Sequence, residues 1–113
     1  MLKILHNPRC GKSRNCLALL REKNKEFEII HYLENRLSCD EITSLLKKLN
    51  YKPIDLIRQK EIVWKENFKG KTLTDNEIIQ AMSKFPILIE RPIVIDGDKA
   101  IIAREVQKLH EFI

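Results

Sequence analysis

Cys10 is the residue of this 113-residue chain best placed to do chemistry. It lies in the stretch His6-Asn7-Pro8-Arg9-Cys10-Gly11-Lys12-Ser13-Arg14-Asn15, between an apolar run ending at Leu5 and a helical pattern from Asn15 to Leu20. A sulfur between a strand end and a helix start meets unpaired backbone amides and the positive end of the helix dipole, and both favour thiolate over thiol. His6, Arg9, Lys12 and Arg14 add positive charge to the same loop. The chemistry expected is nucleophilic attack by a low-pKa thiolate beside an anion pocket. The plainer alternative is a buried apolar thiol next to a solvated basic face, but structural cysteines seldom sit among so many cations.

Spacing removes three sharper motifs. A Walker loop needs glycine five positions before Gly11, where His6 stands, so the Gly11-Lys12-Ser13 match is accidental. A phosphatase-type loop needs arginine six residues after the cysteine, where Cys16 stands. A dithiol redox pair needs cysteine at Ser13. One thiol without a local partner remains.

The elements that must hold this loop follow from periodicity. Leu2–Leu5 reads as a strand buried on both faces, and helix follows from about Gly11 to Lys23, with Cys16, Leu17, Leu19 and Leu20 as its core stripe. Cys16 is thereby a packing residue. Phe27–Tyr32 reads as a second strand, giving a βαβ unit with a parallel pair. Ser38 with Glu41 and Thr74 with Glu77 are spaced as capping boxes, each opening an amphipathic helix. Cys39 falls in the first turn of the earlier helix and reads as incidental. Pro53 opens a helical turn over Ile54–Gln59, Trp64 and Phe68 stand one turn apart as core residues, and Pro86 ends the Thr74 helix after Phe85. The apolar stretch Ile87–Ile95 runs into the hairpin turn Asp96-Gly97, and Lys99–Ala103 returns antiparallel. From Arg104 the tail sets Val106, Leu109 and Ile113 on one helical face. The order βαβ, helices, ββα is that of a thioredoxin-like α/β fold with a helical insertion and a mixed four-stranded sheet, spanning residues 1–113 as one domain.

Composition narrows the partners. Lys and Arg number 21 against 16 Asp and Glu, a formal charge of +5 that suits small oxyanions. The cations are spread rather than blocked, which argues against nucleic acid. Three cysteines are an odd number and no run resembles a signal peptide or membrane span, so a cytoplasmic protein with reduced thiols is expected. The cysteines lack zinc-site spacing, and no bound metal or cofactor is expected.

Several stretches together resemble the glutaredoxin-coupled arsenate reductase family: His6 to Arg14, His31-Tyr32-Leu33, Leu56-Ile57-Arg58, Ile89-Glu90-Arg91-Pro92-Ile93-Val94 and Ala103-Arg104. The resemblance spans essentially the whole chain. It implies Cys10 as nucleophile, His6 as support for the thiolate, and Arg58, Arg91 and Arg104 as oxyanion donors; Arg14 is added as a substrate-binding cation of the loop. Arginine suits that task because its planar, permanently charged fork matches an oxyanion in a way lysine does not. The resemblance also implies a cis Arg91-Pro92 bond. Arsenate as substrate, glutathione as co-substrate, glutaredoxin as the partner that resolves a mixed disulfide, and a monomer complete the expectation. His31 and His110 are assigned to structure. Two other readings share the fold: a glutathione-dependent reductase of another substrate, and an Spx-type regulator that binds RNA polymerase. Switching regulators of the second kind use a cysteine pair that Ser13 removes here.

Overall fold

The computed structural model describes residues Met1–Ile113, and its elements are β1 (Leu2–Leu5), α1 (Gly11–Glu22), β2 (Phe27–Ile30), α2 (Cys39–Leu49), α3 (Ile62–Asn67), α4 (Asp75–Lys84), β3 (Ile93–Asp96), β4 (Lys99–Ile102) and α5 (Val106–Phe112). Two 3-10 turns, Pro53–Leu56 and Pro86–Leu88, flank the middle helices. The residues form two compact units, Met1–Asn35 with Arg91–Ile113, and Arg36–Glu90.

The first unit carries a sheet of order β2-β1-β3-β4, in which β1 runs parallel to β2 and antiparallel to β3, and β3 to β4 is a hairpin. This is the mixed four-stranded sheet of a thioredoxin-like fold. Its core gathers Leu2, Ile4, Cys16, Leu17, Leu20, Val94, Ala103 and Leu109, so Cys16 packs as its place in the helical stripe predicts. Asn24, at φ 56°, ends α1 in a left-handed residue, and the Lys25 amide returns to the Leu20 carbonyl at 3.1 Å. Gly97 takes φ 61° in the two-residue hairpin loop, a backbone that glycine adopts without strain.

Two expectations change in this unit. β1 is not apolar on both faces: Lys3 is exposed and lies in register with Glu28 of β2, an opposite-charge pair at the solvated start of the strand. Val106, expected in the core face of the last helix, is 58% exposed, because α5 is only two turns long and anchors through Leu109.

In the second unit both predicted capping boxes form. The Ser38 hydroxyl accepts the Glu41 amide at 3.1 Å while the Ser38 amide donates to the Glu41 carboxylate at 3.0 Å, and Thr74 and Glu77 repeat the arrangement. Ile42, Leu45, Leu46 and Leu49 of α2 are buried, as are Ile78, Ile79 and Met82 of α4, and the two helices pack together. Trp64 stacks on Phe68 at 5.4 Å between ring centres. The turn after Pro53 is shorter than predicted, ending at Leu56, because Ile57 then pairs in an antiparallel bridge with Ile89. The Arg58 amide donates to the Leu88 carbonyl and the Glu90 amide to the Leu56 carbonyl, completing that short ladder.

Candidate active site

The loop after β1 is built from its own polar atoms. The Cys10 amide donates to the Asn7 carbonyl at 3.0 Å and the Arg9 amide to the Asn7 side-chain oxygen at 3.0 Å, so Asn7 closes the turn around Pro8. Cys10 itself is the N-cap of α1, with φ −95° and ψ 122°, and its carbonyl accepts the Arg14 amide, the first bond of the helix. No side-chain oxygen caps this end. The Lys12 and Ser13 amides, otherwise orphans of the first turn, are aimed at the thiol.

The thiol responds accordingly. Partial burial pushes its pKa up, but the Ser13 amide, the Arg91 side chain, the Lys12 amide and the Arg91 charge together pull it below the ordinary thiol value. Cys16, six residues on, supplies the contrast: buried among aliphatic side chains, it is pushed up to about 12. Cys39 is exposed and lies in the second unit.

Arg91 reaches the sulfur through strand register. Leu5 pairs with Ile93, so the residues leading into β3 lie beside the loop leaving β1. The Arg91-Pro92 bond is cis, as the resemblance implies, and Arg91 is buried. The Ala103 amide donates to the Pro92 carbonyl at 2.8 Å, extending the β4 pairing, and Arg104 then donates from Nη1 to the Arg91 carbonyl at 2.9 Å. Arg104 thus stands with Arg91. Arg14 is exposed and donates to the Pro8 carbonyl at 2.9 Å, bracing the loop. Arg58 belongs to the second unit, where its Nε donates to Glu61 at 3.1 Å and its Nη1 to Glu90 at 2.9 Å. Burial works against its charge, but the two carboxylates outweigh it and strengthen the hold on the proton.

His6 is buried behind the loop, and its pKa lies below the ordinary imidazole value through burial first and then through the charges of His31, Arg21 and Arg14. Its Nδ1 lies 2.7 Å from the Ser13 hydroxyl, which also accepts the Asn7 amide at 3.0 Å. Ser13 and Asn7, whose side chains build the loop behind Cys10, are not legible from motif spacing, which sees at Ser13 only the absence of a second cysteine. The available signal was a pair of short polar residues bracketing a proline and a helix start, where side chains commonly bond local backbone.

Residues 5–112 match the model of the ArsC family. The uncharacterised protein YfgD of Escherichia coli is 42% identical over 99% of this chain and 96% of its own length. A protein of Haemophilus influenzae named arsenate reductase is 40% identical over 97% of each chain. A solved structure described as an arsenate reductase from Vibrio cholerae superposes with a TM-score of 0.92 at 36% identity, covering 99% of this chain and 97% of that one.

Proposed function

Since this chain belongs to the ArsC family, we propose that it is an arsenate reductase that works through the Cys10 thiolate. The observation that carries the reading is a sulfur approached by the Lys12 and Ser13 amides and by the Arg91 guanidinium. That surrounding stabilises negative charge on sulfur before reaction and on arsenate oxygens as they crowd around it. Cys10 attacks arsenic(V), an oxygen leaves as water, and a thiolate–arsenic ester forms. Glutathione then attacks the Cys10 sulfur; arsenic takes the electron pair of the S–As bond and departs as arsenite, leaving Cys10 as a mixed disulfide with glutathione. Ser13 offers no second thiol, so glutaredoxin resolves that disulfide from outside and regenerates the thiolate.

Arg91, Arg104 and Arg14 are the oxyanion donors proposed within the first unit, with Arg58 added on the strength of the family resemblance. An oxyanion taken up by Arg58 competes with Glu61 and Glu90 for the same guanidinium. His6 orients the loop behind the sulfur. The protein acts without a bound cofactor or metal, as a cytoplasmic monomer.

The test is arsenate-dependent oxidation of NADPH in a mixture of this protein, glutathione, glutaredoxin and glutathione reductase. Wild-type protein should turn over and Cys10→Ser should not. Wild-type protein that binds glutathione yet leaves arsenate untouched would shift the substrate to another electrophile and retire the arsenate assignment.

A further inference from the structure

Ser13 has no accessible surface, so its hydroxyl must satisfy its hydrogen-bonding capacity inside the protein. Its oxygen meets two groups, the Asn7 amide at 3.0 Å and His6 Nδ1 at 2.7 Å. The amide can only donate, so it occupies a lone pair. The hydroxyl proton then has His6 Nδ1 as its acceptor. Were Nδ1 protonated, the oxygen would accept twice and its own proton would be buried without a partner, an arrangement folded proteins avoid.

We propose that Ser13 is a positioning residue whose hydroxyl, by donating to His6 Nδ1, holds the imidazole as the neutral Nε2–H tautomer and clamps the His6-Asn7 backbone to the first turn of α1. One residue thereby serves two directions. Its side chain locks the loop behind the site, while its amide is among the groups that face the Cys10 sulfur. The charge opposite the thiolate is then supplied by Arg91 and the helix amides, and His6 is not an imidazolium counter-ion. The surroundings agree: burial together with Arg14, Arg21 and His31 disfavours a charged ring at His6. The inference rests on Cys10 being the reactive thiolate, but it does not depend on arsenate being the substrate.

Histidine-labelled, reduced wild-type protein is followed by long-range 1H–15N spectroscopy while Cys10 ionisation is read in parallel from thiolate absorbance. The expected result is an unprotonated Nδ1 and a protonated Nε2 at His6, unchanged across the pH range in which Cys10 ionises. A doubly protonated ring in the thiolate form, or an Nδ1–H tautomer, overturns the proposal. Ser13→Ala should lose the single tautomer and show averaged ring shifts, and Ser13→Thr, which keeps the hydroxyl, should restore it. A Ser13→Ala ring that keeps the wild-type pattern overturns the proposal too; if that variant does not fold, the wild-type spectra decide. A Cys10 that ionises only in the ordinary thiol range would instead strike at the thiolate mechanism, so the two failures are separable.

Discussion

Cys10 and Cys16 are the same side chain in opposite surroundings, and their titrations are expected to diverge. Cys10 ionises below the ordinary thiol value, so between its depressed pKa and that of the unfolded chain the unfolded state binds the extra proton. Its contribution to stability is therefore present above the unfolded value and lost as pH falls through the folded one. Cys16 has the opposite sign: from an ordinary value near 9 to its folded value of about 12, the folded state holds the proton and stability falls as pH rises. The slope expected is about 1.4 kcal/mol per pH unit, measured as the difference between wild-type and Cys16→Ala urea titrations. Alkylation by iodoacetamide followed peptide by peptide should show Cys10 reacting at lower pH than an ordinary thiol and Cys16 protected. Arg91→Ala removes a charged donor at the sulfur, and should lower kcat/KM for arsenate by about 10²–10³-fold while raising the Cys10 alkylation midpoint. A midpoint that stays put would place Arg91 away from the thiolate.

At the scale of elements, α2 and α4 owe their starts to side chains that the backbone cannot replace. Ser38→Ala and Thr74→Ala should each cost about 1 kcal/mol in urea unfolding, the usual loss for a helix N-cap. The Glu77 carboxyl, held below its ordinary value by the Thr74 amide and hydroxyl, makes the α4 cap weaken as pH falls through that depressed value. α1 is the exception that makes the site. Cys10 occupies its N-cap without a capping side-chain hydrogen bond, and no acidic residue stands in its first turn. Cys10→Ser, placing a good N-cap there, should hold or raise thermal stability while activity disappears; a marked loss of stability would show that the thiol is structural. The helix start is thus less stable than a serine would make it, in a position that favours an anion.

Over the whole molecule, 21 cations against 16 anions leave a charge of +5 that draws small anions toward the chain. The KM for arsenate should therefore rise several-fold from about 10 mM to about 0.5 M sodium chloride, where the Debye length shrinks to a few ångströms, with kcat less affected. No helix is long and apolar enough to cross a membrane. Local chemistry was legible in the residues themselves: two capping boxes, the stripe that buries Cys16, the hairpin at Gly97 and the place of Cys10 at a helix start depend on neighbours within a few positions. The exposures of Lys3 and Val106 were not, because they depend on how far a sheet face or a short helix is covered. Nor did the local pattern alone derive Arg91 at the sulfur, although family resemblance pointed to it as an oxyanion donor. It is 81 positions from Cys10, and the pairing of Leu5 with Ile93 is what sets it there. The sequence by itself determined the main elements and the place of Cys10 at a helix start, since periodicity and capping act over single turns. Only the tertiary structure decided what surrounds that thiol, since strand register and a buried hydroxyl choose partners that spacing along the chain does not reveal.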